Sequence, residues 1–391
     1  MNIGRQALRK ERFLIILLAA GLFIFTPDAL ADWSAAQRLT RTSGDSSFPA
    51  VAIDSVNTVH VVWHDATPGN MAIYYKRSED GGATWSAAQR LTWTSGEAYF
   101  PAMAIASSNT IHLVWADSTP GNSEIYYKKS SDGGTTWSSV KRLTWTSGNS
   151  SFPAIAIDSD DNLDIVWSDL TPGTNQIYHK RSADGGTTWS AAQRITWSSS
   201  SSENPDIAID SANALHVVWS QYIVANPEIF YKTSSDGGST WSAAQRLTWA
   251  SGSSSRPAIA VDSSDALHVA WSDDVPGNPE VYYRTSSDGG TTWNPVKRLT
   301  WTSSNSYVPA IAIDSANIIF VVWYDDAPGN YEIYYRLSKD GGTVWSTINR
   351  LTWTSGTSTL PAIAFDSGGT AHVVWNDDTP GNKEIYYKNG N

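Results

Sequence analysis

Short stretches of this chain follow a two-residue apolar period, and no segment keeps an apolar period near 3.6 for long enough to predict a helix. PAIAID at residues 153–158 alternates small and larger apolar positions, which predicts a strand. Runs such as HVVW at residues 216–219 are typical of a strand buried on both faces. EIYYK at residues 124–128 and WSAAQRLTW at residues 241–249 complete a set of four strands. The pattern predicts an all-β chain.

The four segments recur with a constant spacing. A tryptophan begins the fourth segment every 52 residues, at Trp33, Trp85, Trp137, Trp189, Trp241, Trp293 and Trp345. A fixed period of this length indicates a propeller or a solenoid. Four strands per unit, joined by turns rich in Gly, Pro, Asn and Ser, are typical of a propeller blade. A β-solenoid is the alternative, although its coils are usually shorter.

The two ends of the repeat array complement each other. The last copy stops after its third segment, EIYYK at residues 384–388, and no DGG turn follows it. Residues 33–40 form a fourth segment that no unit precedes. We therefore predict a seven-bladed β-propeller of four-stranded antiparallel blades, closed by the N-terminal strand that completes the last blade. Closure of this kind leaves no open sheet edge around the ring.

The first 31 residues have the composition of an export signal. A basic start precedes an apolar run at residues 13–25, and the small-residue sequence Ala29-Leu30-Ala31 follows. This order predicts a signal peptide at residues 1–31, cleaved after Ala31, and a secreted or periplasmic propeller at residues 32–391. An uncleaved anchor is the alternative, because the apolar run is shorter than the about 20 residues of a membrane span.

Charge and cysteine content narrow the possible partners. The formal net charge is −11 over 391 residues, and the chain has no cysteine, so a core without disulfides must hold the fold. An acidic surface argues against nucleic acid and anionic membrane as partners. We expect a monomer without cofactors. No metal site is expected either, because the strand position of His60, His112, His216, His268 and His372 carries Asp164 and Phe320 in the other two copies.

The turn before each periodic Trp has the sequence S-x-D-G-G-x-T-W or a close variant. Its glycines supply positive φ angles, and its Asp can accept backbone N–H bonds within the turn. The acid recurs at Asp80, Asp132, Asp184, Asp236, Asp288 and Asp340. A calcium ligand or a catalyst is one interpretation of this acid. Sixfold repetition favours the other, a structural staple, because one reaction centre does not need the same acid on every blade.

This turn resembles the Asp-box, or BNR repeat, of the sialidase-like propeller superfamily. The repeats that carry it cover essentially all of residues 32–391. The resemblance implies that the Asp-boxes lie on the outer rim, away from the functional face. The superfamily includes sialidases, other glycoside hydrolases and non-catalytic binding proteins, so the motif predicts a fold and no particular reaction.

The resemblance also implies what a sialidase in this family would need, namely three arginines, a Tyr/Glu pair, an Asp and a Phe-Arg-Ile-Pro motif. The matching positions here read SSFP, AYFP, SSFP, SENP, SSRP, SYVP and STLP. Arg256 comes nearest but directly precedes Pro257, one position out of register. Known sialidases of the family have six blades, whereas seven are predicted here. We therefore do not expect sialidase chemistry.

The fourth complete unit departs most from the repeat. SSSSSENPD at residues 198–206 replaces the usual TSG loop, and QYIVA at residues 221–225 replaces the D-x-x-P-G loop. Glu203, Asp206 and Glu228 lie near this break. A glycoside hydrolase needs a pair of carboxylates at roughly 5–9.5 Å, so these three residues are the catalytic candidates if the protein is an enzyme. Drift in a tolerant surface loop is the alternative.

The loops after the second and fourth strands should share one face, opposite the Asp-boxes. Tryptophan recurs there at Trp93, Trp145, Trp197, Trp249, Trp301 and Trp353, with Arg41 in the seventh place. Aspartate recurs beside it at Asp65, Asp117, Asp169, Asp273, Asp325 and Asp377, with Gln221 in the odd copy. An aromatic plane beside hydrogen-bond acceptors is typical of sugar sites. The alternative is structural: the tryptophans cover the seams between blades, and the aspartates cap their own loops.

These observations lead to one hypothesis and two alternatives. The hypothesis is an exported, non-catalytic binding propeller that presents repeated Trp/Asp pockets to a glycan or an extracellular protein partner. Sites near the millimolar level would gain roughly 10²–10⁴ in avidity by repetition. The alternatives are a glycoside hydrolase, sialidase-like or other, with its centre in the irregular fourth repeat, and a structural or adhesive module.

Overall fold

The structure is a computed structural model that describes residues 32–67, 69–224, 226–249, 251–275 and 277–390. These residues form seven antiparallel four-stranded sheets and contain no helix. The predicted seven-bladed all-β propeller is therefore confirmed. No helix in this part of the chain has the length and apolarity needed to cross a membrane. The predicted signal peptide at residues 1–31 lies outside the described residues.

Strands are numbered β1–β28 along the chain, and blades 1–6 each take four consecutive strands. Blade 1 has β2(Ser46–Ile53), β3(Val59–Asp65), β4(Ala72–Ser78) and β5(Gln89–Arg90); blade 2 has β6(Ala98–Ile105), β7(Ile111–Asp117), β8(Glu124–Ser130) and β9(Lys141–Arg142); blade 3 has β10(Ser150–Ile157), β11(Leu163–Asp169), β12(Gln176–Ser182) and β13(Gln193–Arg194). Blade 4 has β14(Ser202–Ile209), β15(Leu215–Ile223), β16(Asn226–Ser234) and β17(Gln245–Arg246); blade 5 has β18(Ser254–Val261), β19(Leu267–Asp273), β20(Glu280–Ser286) and β21(Lys297–Arg298). Blade 6 has β22(Ser306–Ile313), β23(Ile319–Asp325), β24(Glu332–Ser338) and β25(Asn349–Arg350); blade 7 has β26(Ser358–Phe365), β27(Ala371–Asp377), β28(Glu384–Gly390) and β1(Gln37–Arg38).

The last blade is completed by the first strand of the chain. In the antiparallel ladder between β1 and β28, Gln37 pairs with Tyr387. The Ser34 amide donates to the Asn389 carbonyl at 2.8 Å, and the Trp33 ring packs edge-on against Tyr335 of blade 6 at 5.4 Å. The predicted closure of the ring by the N-terminal strand is consistent with this sheet.

The core lies between neighbouring blades. The tryptophan near the end of each second strand is less than 2% exposed, and the set is Trp63, Trp115, Trp167, Trp219, Trp271, Trp323 and Trp375. Each apolar cluster joins two blades; one, for example, packs Val62 and Ile73 of blade 1 against Leu113 and Trp115 of blade 2. Burying both faces of each second strand explains why its sequence is a continuous β-branched and aromatic run.

Each innermost strand carries a bulge close to the axis. In β2 the register with β3 shifts between Ser47 and Ala50, so Phe48 and Pro49 lie in the bulge. Phe48 has a φ of 51°, in a region that bulky residues rarely adopt. The same conformation recurs, with φ of 49–55°, at Phe100, Phe152, Asn204, Arg256, Val308 and Leu360. Because it persists whatever the side chain, the strain belongs to the bulge and not to one reaction centre.

Candidate functional site

The aspartate of each Asp-box forms its hydrogen bonds within its own turn. In blade 2 the Asp132 carboxylate accepts hydrogen bonds from the Ser130 hydroxyl at 2.8 Å, the Thr136 amide at 2.8 Å and the Thr136 hydroxyl at 2.6 Å. The Ser130 hydroxyl in turn accepts from the Gly134 amide at 2.8 Å. The hydrogen bonds from Thr136 and Ser130 lower the pKa of Asp132 to about 2. The equivalent acids Asp80, Asp184, Asp236, Asp288 and Asp340 make the same kind of turn and also have lowered pKa values.

Each Asp-box also fastens its blade to the preceding one. The Trp137 ring meets Tyr75 of blade 1 edge-on at 5.2 Å, and the Tyr75 hydroxyl donates to the Gly133 carbonyl at 3.1 Å. A Cβ at Gly134 would lie 2.0 Å from the Tyr75 Oη atom, so this position has room only for glycine. The Tyr75 hydroxyl also lies 2.8 Å from Nδ1 of His60, and burial lowers the pKa of that histidine. These contacts describe a structural turn.

Blade 3 makes the same seam with exchanged residues. His179 takes the place of the tyrosine and packs against Trp241 at 5.3 Å. Asp164 takes the place of the histidine, and its carboxylate lies 2.8 Å from Nε2 of His179 and 2.5 Å from the Arg181 guanidinium. The irregular strand position noted in the sequence is therefore one half of a paired exchange.

The opposite face is formed by the loops after the second and fourth strands, as the strand order predicts. In blade 2 the Asn122 side chain donates to the Thr146 carbonyl at 3.1 Å and the Gly148 carbonyl at 2.6 Å, which ties the two loops together. Buried Glu124 accepts from the Thr146 amide at 2.8 Å and from the Arg142 guanidinium at 2.9 Å. The two loops are thus tied together by Asn122 and by an ion pair whose carboxylate is buried.

The tryptophans of this face project from the held loops. Their side chains are 63–69% exposed, and the set, hereafter the Trp ring, is Trp93, Trp145, Trp197, Trp249, Trp301 and Trp353. Each indole lies 5.5–5.9 Å from the guanidinium of the Arg three residues before it, for example Arg142 beneath Trp145. A cation from the next blade, Lys180, lies 5.9 Å from Trp145. Cation–π contacts of this kind orient the rings while most of their surface stays in water.

The aspartates predicted beside the tryptophans lie deeper. All six are at most 4% exposed: Asp65, Asp117, Asp169, Asp273, Asp325 and Asp377. The Asp65 carboxylate accepts from the Ser46 hydroxyl at 2.6 Å and the Thr67 amide at 2.7 Å. Burial raises the pKa of Asp273 and Asp325. Their contacts match the loop-cap alternative, and a direct ligand contact by these aspartates stays a prediction.

A cavity of about 310 Å³, hereafter the axial cavity, opens on the propeller axis at the level of the bulges. Three phenyl rings line one side: Phe100 and Phe152 are stacked with centroids 4.2 Å apart, and Phe48 meets Phe100 edge-on at 4.7 Å. Asn204 and Arg256 line the other side. The position before proline therefore gives this cavity two chemically different walls. Its variation was visible in the sequence, but nothing there showed that all seven copies meet at one point.

The three conditional catalytic residues occupy different surroundings. Asp206 lines the axial cavity, accepts from the Ile207 and Ile259 amides at 3.0 and 2.9 Å, and has its pKa raised by desolvation to about 6. Glu203 accepts from the Asn175 side chain at 2.9 Å. Glu228 is 1% exposed and lies 2.7 Å from Arg246, in the place that Glu124 has in blade 2. Of the three, the structure brings only Asp206 to the cavity wall.

The described ranges contain no group of three or more His, Cys, Asp or Glu side chains placed to hold a metal ion. The absence of a metal or cofactor remains an expectation from the sequence. The accessible groups described above are the indoles of the Trp ring and the phenyl rings, Asn204 and Arg256 of the axial cavity.

Comparison with solved structures relates this architecture to other propellers. An ulvan lyase of polysaccharide lyase family PL25, solved bound to -[GlcA(1-4)Rha3S]-, is 9% identical, with a TM-score of 0.65, 88% of this chain covered and 94% of that chain. The Hadza microbial sialidase Hz136 is 14% identical, with a TM-score of 0.54 and 86% and 74% covered. An α-L-arabinanase from Penicillium chrysogenum is 15% identical, with a TM-score of 0.54 and 75% and 92% covered. Identities this low show a shared fold alone.

Family models give a closer match than individual proteins. None of the curated proteins matches the chain. A BNR repeat-like domain matches residues 165–373, and a BNR repeat-containing family member matches residues 22–249, each more than half of the chain. With the Asp-box geometry and the seven blades described above, these matches show that the chain belongs to the BNR repeat family of sialidase-like β-propellers.

Proposed function

We propose that this protein is a non-catalytic carbohydrate-binding propeller that holds a glycan on its Trp ring. The observation that carries the proposal is the exposure of six tryptophans, 63–69% each, on one face of the ring. An indole left in water lacks the favourable free energy of burial that the Asp-box tryptophans and the second-strand tryptophans gain. Repeated exposure of this kind indicates a binding surface. Indole planes stack well on the apolar faces of sugar rings.

The surroundings of the Trp ring support saccharide as the ligand. Each indole is backed by an arginine, and in blade 2 the Asn122 side chain and the buried Glu124 carboxylate hold the loop that carries Trp145. A preformed site loses little entropy on binding. The named structural neighbours are a polysaccharide lyase, a sialidase and an arabinanase, all of which act on carbohydrates. Six similar sites would bind a repeating or branched glycan with avidity.

Two further parts of the proposal come from the sequence. Export of residues 32–391 after cleavage at Ala31 would place the propeller outside the cytoplasm, where glycans are available. A monomer with several sites would cross-link glycan chains without needing a second subunit.

Glycan-array binding of Trp145→Ala and Trp249→Ala tests the proposal. We expect both variants to melt like the original chain and to bind less well, since each removes one stacking plane. Val344→Thr is the matched control: Val344 is 66% exposed but lies in an Asp-box, where other copies carry Thr, so its binding should not change. Full retention of binding in both tryptophan variants would overturn the proposal, and binding of a protein ligand alone would replace the glycan with a protein partner.

The axial cavity supports a second candidate function, glycoside hydrolysis. The specific observation is Asp206, whose pKa of about 6 suits a general acid at neutral pH, although it is the one carboxylate among the described residues that line this cavity and the usual mechanism needs a pair. A chromogenic glycoside should then be turned over, and Asp206→Asn should abolish the turnover. Agglutination without turnover supports the binding protein, and neither activity supports the adhesive module.

A further inference from the structure

One seam of the propeller lacks the tryptophan that the other six have. Between blade 7 and blade 1 the place of the Trp ring is taken by Arg41, which follows β1. A cavity of about 210 Å³ lies there, lined by Arg41, Trp63, Asp65, Tyr74 and Lys76 among others. In the next seam the equivalent lysine, Lys128, lies 5.8 Å from the Trp93 ring and is only 8% exposed. No indole in the part of the chain that the structure describes lies over Lys76, because Arg41 takes the place of the tryptophan, and Lys76 is half-buried.

The lining of this seam cavity carries more available positive than negative charge. The Lys76 Nζ atom donates to the Leu39 carbonyl at 2.6 Å, and an ammonium group has two further donors. The exposed Arg41 guanidinium makes no hydrogen bond or ion pair with the residues that the structure describes. Burial lowers the pKa of Lys76, and the charge of Arg41 lowers it further, so the two cations lie close enough to interact.

The acids nearby have partners of their own, although the Glu384 Oε2 atom is buried and accepts no hydrogen bond from any described residue. The Asp65 carboxylate accepts from the Ser46 hydroxyl at 2.6 Å, the Thr67 amide at 2.7 Å and the Thr42 hydroxyl at 3.1 Å. Glu384 is paired with Arg38 at 2.8 Å and accepts from the Thr42 amide at 2.9 Å. Neither acid forms an ion pair with Arg41 or Lys76 within the described ranges. The cavity therefore holds two cations whose charge is not matched by an ion-pair partner.

An aromatic ring lines the cavity beside the cations. Tyr74 is half-buried and stacks on Trp63 with ring centroids 6.0 Å apart and an interplanar angle of 19°. A sugar ring could lie against such a plane while an attached anionic group meets the guanidinium and the ammonium. Arginine is well suited to this because its fork matches the two oxygens of a carboxylate or sulfate.

We propose that the seam cavity is a binding site for the carboxylate or sulfate group of an acidic saccharide, with Arg41 and Lys76 holding the oxyanion and Tyr74 the sugar ring. The site rests on the proposed function for the saccharide, but the oxyanion contact stands without it. This face of the propeller would then have six stacking positions at the tryptophans of the Trp ring and one cationic position at Arg41 that selects an acidic sugar.

The test is a chemical-shift titration of the Thr42 and Lys76 backbone amides in the full chain at constant ionic strength. The probes are sodium glucuronate, inorganic sulfate and methyl glucoside as the neutral match. We expect saturable shifts with glucuronate at about millimolar Kd and none with methyl glucoside. Arg41→Trp restores the residue of the other six seams and should weaken glucuronate binding about tenfold or more, because a charge-assisted contact is lost and the cavity is covered. Arg41→Gln should do the same without covering it.

A reciprocal variant makes the test two-sided. Trp145→Arg gives the seam beside Lys180 the Arg41 arrangement and should create a second glucuronate site. Equal glucuronate binding by the original chain and Arg41→Trp would overturn the proposal, and so would binding of sulfate alone, which would indicate a site for inorganic anions. If Arg41→Trp loses glucuronate while Trp145→Ala and Trp249→Ala keep all glycan binding, the seam site stands and the proposed function of the Trp ring falls.

Discussion

Trp137 and Trp145 lie in one repeat, eight residues apart, and both recur around the propeller, yet the structure treats them in opposite ways. Trp137 is half-buried against Tyr75 of the neighbouring blade, in a turn whose Asp132 carboxylate accepts a hydrogen bond from the Ser130 hydroxyl. Trp145 is 69% exposed above Arg142. Repetition alone therefore does not separate a structural residue from a ligand-binding one, because a ring of equal blades repeats both.

The contacts do separate them. Substitutions in the Asp-boxes would break contacts between neighbouring blades, whereas substitutions in the Trp ring would remove only exposed side chains. Stability measurements should consequently respond to one face and binding measurements to the other. The predictions below run from the largest expected loss of stability to the smallest.

Deleting residues 32–40 should have the largest effect, because it removes β1 from blade 7 together with Leu39 from the seam between blades 7 and 1 and Trp33 from the seam between blades 6 and 7. Leu39 is 4% exposed and Trp33 packs on Tyr335, so we expect a loss of about 5 kcal/mol in the free energy of unfolding. Chemical denaturation measures it, with deletion of residues 1–31 alone as the control. A melting curve equal to that of the control would contradict closure by β1.

Gly134→Ala tests how tightly the Asp-box face is packed. The new Cβ would lie 2.0 Å from the Tyr75 Oη atom, and φ at this position is 84°, so we expect a loss of about 3 kcal/mol. Gly133→Ala is the matched control in the same turn, because its φ is 65° and the nearest atom, Nη1 of Arg77, lies at 3.6 Å. Its loss should be about 1 kcal/mol, from backbone strain alone. Equal losses would mean that the seam contact does not matter.

Trp137→Ala and Trp145→Ala compare the two faces directly. We expect Trp137→Ala to lower the free energy of unfolding by about 2–3 kcal/mol, since it deletes a ring packed across a seam. Trp145→Ala should change it by less than about 0.5 kcal/mol, as is usual for an exposed side chain. Thermal melting of the two variants side by side measures the difference. A destabilised Trp145→Ala would favour the interpretation that this ring covers the seam.

Asp206→Ala gives the axial cavity the residue that the other six copies have, and its effect should depend on pH. Desolvation raises the pKa of Asp206 to about 6, so the neutral form favours the folded state. Stability from this group is present below pH about 4 and is lost as pH rises through about 6. The alanine variant should therefore gain about 2 kcal/mol relative to the original chain between pH 4 and pH 8. A difference that does not change with pH would mean that Asp206 is ionised throughout.

Much of the fold could be predicted from the sequence because each blade repeats its own pattern. The period that joins Trp85 to Trp137 indicates four strands per blade, and the incomplete last copy indicates closure by residues 33–40. The paired exchange of Asp164 and His179 could also have been found. In the other blades a histidine or Phe320 precedes a tyrosine by fifteen residues, and here both partners change together.

Depth within the loops was harder to predict. Asp65 and the tryptophans of the Trp ring are followed by polar loop sequences of the same kind, so the sequence was consistent with one pocket formed by both. In the structure the aspartate turns inward to Ser46, while the tryptophan lies outside the loop. The axial cavity was missed for a different reason: its walls come from residues 52 apart, and only closure of the ring brings Phe100 close to Phe152.

The ladder between Gln37 and Tyr387 also has a consequence for how the chain reaches this state. The strand that leaves the ribosome first must wait for the strand made last, and the loop between them spans nearly the whole chain. Joining such distant segments is slow, and until then β28 keeps an unpaired edge that other chains can add to. We therefore expect the pairing of β1 with β28 to be the slow step of refolding, and we expect chains that fail to pair to form swapped dimers. Refolding kinetics test the first expectation: a covalent link between β1 and β28 should make the slow phase faster.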